Sequence, residues 1–124
     1  MKGSKVSAVL FVKHLQRTAD FYVNALGMQC SFSDDDHSRL QCHDFQLVVH
    51  QIPKHIELET PPERRVWGAL RLDYPVRSIA ESRSLAQRFG GGIDETPPGW
   101  ADRDANFFLG HDPEGNQFGV SEQA

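Results

Sequence analysis

Val6-Ser7-Ala8-Val9-Leu10-Phe11-Val12 runs through Lys13-His14 into Leu15-Gln16-Arg17-Thr18-Ala19-Asp20-Phe21-Tyr22-Val23-Asn24-Ala25-Leu26-Gly27, and this passage from strand to helix decides the fold. The first seven residues are rich in β-branched and aromatic side chains, the composition of a strand. From Leu15 the apolar period changes: Leu15, Ala19, Tyr22 and Leu26 recur at helical spacing, with Phe21 and Ala25 beside them. Gly27 stands where a left-handed residue ends a helix. Three short strands follow, at about Gln29 to Ser33, Ser38 to His43 and Gln46 to Gln51.

Working outward, the same order of elements returns in the second half with hardly any sequence in common. Trp67-Gly68-Ala69-Leu70-Arg71-Leu72 is expected to be the fifth strand. Ile79, Ser82, Ala86 and Phe89 mark a second helix, which Gly90-Gly91-Gly92 stops. Strands are expected near Gly92 to Glu95, Ala105 to Gly110 and Asn116 to Ser121. Pro53, Pro61 and Pro62 punctuate a linker over about 52–65. The reading is an α+β fold of two tandem βαβββ modules, about 6–51 and 66–121. With 124 residues, 1–124 is one domain.

Composition narrows the function. Thirteen Lys and Arg against seventeen Asp and Glu, net −4, leave no nucleic-acid footprint. The apolar runs are too short to span a membrane. No signal peptide is visible, so a cytoplasmic location is expected. Cys30 and Cys42 lack CxxC spacing and are expected to be buried free thiols. No nucleophile triad or phosphate loop appears, and the glycine triplet ends a helix where a phosphate site needs a helix start. Asp34-Asp35-Asp36 reads as a solvated hairpin tip.

Two hairpins assign faces. Asp112-Pro113-Glu114-Gly115 is a turn signal. Taken as a four-residue loop, it puts Phe107, Leu109, Phe118 and Val120 under a helix. Asn106, Phe108, Gly110, Gln117, Gly119 and Ser121 then line a ligand cavity or a solvated face. A tight turn at Asp44-Phe45 puts Leu40, Cys42, Leu47 and Val49 on one face and Arg39, Gln41, His43 and His50 on the other.

Phe21-Tyr22 with Leu26-Gly27 at the end of the first helix, and Asp112-Pro113-Glu114-Gly115-Asn116 before the last strand, resemble the signatures of the glyoxalase/bleomycin-resistance/extradiol-dioxygenase (vicinal oxygen chelate) superfamily. The likeness covers nearly the whole chain. It implies a curled mixed sheet around a cavity, and many members dimerise. Enzymatic members typically hold a divalent metal with His, Gln or Glu, from the first and fourth strands of each module. Motif distance carries those four positions to Ser7, Leu47, Trp67 and Gly119, and a slip by one gives Ala8, Val48, Gly68 and Val120. Neither set offers a metal donor beyond a serine hydroxyl.

The expectation is therefore a small-molecule-binding protein without catalysis, metal or other cofactor, sequestering a drug-like or aromatic ligand. Its cavity is expected to be lined by Ser7, Val9, Phe11, Leu47, Val49, Trp67, Arg71, Phe108 and Gln117. Arg71, on an apolar strand, would anchor an anionic ligand or pair internally with Glu95 or Asp73. A homodimer is expected. The alternatives are a metal-dependent lyase or dioxygenase with a degenerate site, and a structural dimer without ligand. Of the histidines, His14 falls at the helix cap, His37 and His55 in polar loops and His111 beside the turn. His43 with His50 could form a surface zinc site, short of ligands.

Overall fold

A computed structural model describes residues 5–57, 62–101 and 106–123. The elements are β1 (Val6–Val12), α1 (Leu15–Leu26), β2 (Gln29–Ser33), β3 (His37–Cys42), β4 (Phe45–Gln51), β5 (Leu72–Val76), α2 (Ile79–Arg88), β6 (Gly92–Ile93), β7 (Phe107–His111) and β8 (Gln117–Glu122). They form two four-stranded mixed sheets, ordered β1-β4-β3-β2 and β5-β8-β7-β6. In each sheet the first and last strands run parallel, and the middle strands are antiparallel. This is the α+β architecture of two βαβββ units. None of the described helices is long and apolar enough to cross a membrane.

Both helices cover the same side of the sheets and pack on one another. Phe21 and Tyr22 on α1 meet Phe118 on β8 at 5.8 and 6.2 Å between ring centres, and Tyr22 meets Tyr74 on β5 at 6.1 Å. The two halves thus share one core, with Leu40, Leu47 and Val49 from the first and Val76, Ile79 and Val120 from the second. Gly27 has φ 72° and closes α1 through its N–H to the Tyr22 carbonyl, as its sequence position predicts.

The fifth strand is displaced from its expected place. It is Leu72–Val76, not Trp67–Leu72. Parallel pairing with β8 buries Tyr74 and Val76, which outweighs the penalty that Asp73 and Pro75 carry as strand residues. β5 is an edge strand, so the N–H missing from Pro75 costs no ladder bond on its open side. The cysteines also depart from expectation: both are free, but Cys30 is exposed and Cys42 half-buried.

Candidate functional site

The face of each sheet away from the helices is open. In the first half it carries three cross-strand rows: Ser7, Gln46 and Gln41; Val9, Val48 and Arg39; Phe11, His50 and His37. Phe32 pairs with Arg39 in the middle row, and its ring reaches His37 in the last, so that four rings form one chain. Its rings, Phe11–His50–His37–Phe32, follow one another at 5.8, 5.9 and 5.1 Å. Asp34 organises the β2–β3 tip by accepting the Asp36 and His37 N–H groups, which hold its carboxyl below the usual range.

The β3–β4 turn residues are His43 and Asp44, one position earlier than expected. Pairing therefore shifts by two residues, which preserves the faces. Leu40, Leu47 and Val49 do share the helix side. This corrects the cavity assignment of Val49, a fully buried core residue; Leu47, 2% exposed, is a core residue that also borders the cleft between the halves. His43 sits in the turn at φ 52° and bonds Gln123, so it shares no site with His50.

In the second half the open face follows from the loop before β8. Asp112 N–H donates to the Asn116 carbonyl at 3.0 Å, closing a three-residue loop with Gly115 at φ 80°. The expected loop had four residues. The shift by one reverses β7: Phe107, Leu109 and His111 lie beside Gln117, Gly119 and Ser121. Phe108, expected in the cavity, packs against the core on the helix side with the Arg83 guanidinium 4.8 Å from its ring centre.

Two ion pairs mark this second face. Arg64 donates to both Asp94 oxygens at 2.8 and 3.0 Å and through Nε to Gln117 at 2.9 Å. Arg71 donates through Nε and Nη2 to both Asp73 oxygens at 2.8 and 3.1 Å, while Trp100 and Phe107 face its guanidinium at 5.2 and 5.4 Å. Gly119 lies opposite Asp73, and a side chain there would collide with the Asp73 carboxylate and the Phe107 ring. His111 rests against Gly92, its buried Nδ1 without a hydrogen-bond partner. Burial first, and then the Arg64 charge, hold its pKa below the ordinary value. Between the halves a cleft of about 240 Å³ is bordered by β1 and by residues 65–72.

Of the residues expected to line the cavity, Val9, Leu47 and Gln117 meet at this cleft. Ser7 and Phe11 are on the first open face and Arg71 on the second. Trp67 precedes β5 in no strand and is 95% exposed. Arg64, Asp94 and His111 were not picked out from the sequence, since they converge from three separate segments without a motif.

The model of the glyoxalase-like domain family matches residues 7–121. The chain belongs to that family. No curated protein matches it. Among solved structures it is similar to a glyoxalase/bleomycin resistance protein from Albidiferax ferrireducens, at 17% identity over 96% of this chain and 98% of that one, with TM-score 0.69. A genomically encoded fosfomycin resistance protein from Listeria monocytogenes is 15% identical over 100% and 94%, also at 0.69. An integron cassette protein from the V. cholerae mobile metagenome is 23% identical over 100% and 98%, at 0.65.

The resemblance implies metal-ligand positions on the first and fourth strands of each module, and the repeat of the two halves locates them. Ser7 lies seven residues before His14, the cap of α1; the residue seven before Ser78, the cap of α2, is Arg71. Ala8 pairs with Leu47 as Leu72 pairs with Phe118, so the counterpart of Gly119 is Val48. The set is thus Ser7, Val48, Arg71 and Gly119; the structure replaces Trp67 by Arg71 and Leu47 by Val48. A hydroxyl, an isopropyl group, a guanidinium and a bare backbone do not fit a divalent metal. Among the described residues no three His, Cys, Asp or Glu side chains group to hold one elsewhere.

Proposed function

We propose that this chain is a metal-independent, non-catalytic binding protein that sequesters a small organic molecule, drug-like or aromatic, on its open sheet faces. The observation that carries the reading is the set Ser7, Val48, Arg71 and Gly119, which offers no ligand cage. Apolar side chains left uncovered beside it, among them Val9, Phe11, Leu70 and Trp100, supply contact surface. The free edges of β1 and β5 and this apolar surface fit a homodimer that completes the cavity. On this reading the protein acts in the cytoplasm, where sequestration protects a target; resistance proteins stand among its structural relatives. The competing reading is a degenerate lyase or dioxygenase, favoured by the buried His111 Nδ1 that has no hydrogen-bond partner.

Elemental analysis, light scattering and a melting screen test the proposal together. Well under one metal per chain is expected after gentle purification, with a mass about twice 14.0 kDa. Aromatic ligands should raise the melting temperature, since binding the native state at 100 times Kd adds about 2.7 kcal/mol. A stoichiometric transition metal that survives dialysis would overturn it.

A further inference from the structure

The cation that stands where a metal ligand would be expected is a protein group. We infer that Arg71, held in place by Asp73, supplies a fixed guanidinium donor fork at this site, and that the site recognises an organic oxyanion, a carboxylate or phosphonate carried on an aromatic or apolar body. The inference rests on the small-molecule-binding reading and names the class of its ligand.

Three features point this way. Asp73 takes the Nε side of the guanidinium, through Nε and one Nη2 hydrogen, and among the described residues nothing hydrogen-bonds the Nη1–Nη2 edge, a planar two-donor fork. That fork matches the two oxygens of a carboxylate or phosphonate. Trp100 and Phe107, whose ring centres are 5.7 Å apart, lie 5.2 and 5.4 Å from the guanidinium and offer aromatic surface beside it. Finally, Gly119 has no side chain, and the room so left holds the Phe107 ring and the Asp73 carboxylate. The site is built around the arginine.

Stability does not account for this construction. The Arg71 and Asp73 side chains are 35% and 46% exposed, and an ion pair so open to water contributes little to folding. The same exposure lets a solute reach the free edge.

The test compares the full chain with Arg71→Met and Arg71→Lys, by calorimetric titration at low salt with phenylphosphonate, benzoate and the neutral benzyl alcohol. The two anions are expected to bind at least about tenfold more tightly than the alcohol, a difference of about 1.4 kcal/mol. Arg71→Met should erase that preference. Arg71→Lys should keep part of it, having the charge without the fork. Both variants should melt within about 3 °C of the parent when no probe is present. Anions bound no better than the alcohol, or bound equally well by Arg71→Met, overturn the inference and leave the binding reading standing on the neutral probe. Failure of all three probes at millimolar concentration overturns both. A drop of more than about 10 °C in unliganded Arg71→Met makes the pair structural and also overturns it.

Discussion

The two helices begin in different ways. At the start of α2 the Ser78 hydroxyl accepts the Glu81 N–H at 3.1 Å and the Glu122 carboxylate on β8 accepts the Ile79 N–H at 2.8 Å, so the cap is made within its own module. At the start of α1 His14 offers no side-chain cap. Its place is taken by Glu114, whose carboxylate accepts the Lys13 and His14 N–H groups at 2.7 Å each and the Thr18 hydroxyl at 3.2 Å. A negative charge at a helix start also meets the favourable end of its dipole. One helix is finished by its own module, the other by a turn from the opposite module. The first half is therefore not an independent unit, although its strand and helix are the more strongly apolar of the two.

The largest effect should come from Glu114→Ala. It leaves three donors at the part-buried start of α1 without their acceptor, and a loss of about 3 kcal/mol is expected. Denaturant unfolding measures the loss, and hydrogen exchange should show faster opening in α1 and β8 together. Opening confined to the turn would break the comparison. Ser78→Ala should cost about 1 kcal/mol and speed exchange only in the first turn of α2; an effect that spreads to α1 would show that this cap is not confined to its module either. The smallest effect concerns pH. His111 has a folded pKa below its ordinary 6.5, so below that value the unfolded chain takes up the proton first. Stability should then fall as pH drops through 6.5, and level off below the folded pKa. His111→Gln should remove this contribution from a melting-temperature titration, and an unchanged slope would acquit His111.

How much was legible in the sequence depends on register. The element order, the end of α1 at Gly27 and the helix-side faces of β3 and β4 follow from apolar period and turn residues. The β3–β4 pairing differs from expectation by two residues and every side chain keeps its face. The β7–β8 pairing differs by one, and Phe107 exchanges places with Phe108. The cause lies in Asp112 and Asn116, which pair across the turn through backbone and side chains and shorten the loop. β5 escaped detection because Asp73 and Pro75 are poor strand residues, while the alternation in 67–72 imitates a strand. The displacement carries into the site, where the expectation puts Trp67 at the position that the repeat of the two halves gives to Arg71. Long-range partners such as Arg64 with Asp94 leave no trace in local pattern.

The Glu114 cap has a consequence for synthesis. Lys13 and His14 leave the ribosome about a hundred residues before the side chain that completes their helix. At about 5–20 residues per second, that is an interval of about 5–20 s. During it the nascent chain carries an apolar strand and an uncapped helix whose aromatic residues, Phe21 and Tyr22, have no Phe118 to rest against. The protein thus closes from its last turn backward onto its first helix. Chains truncated before residue 114 should stay open to proteases and engage chaperones, where full-length chains do not.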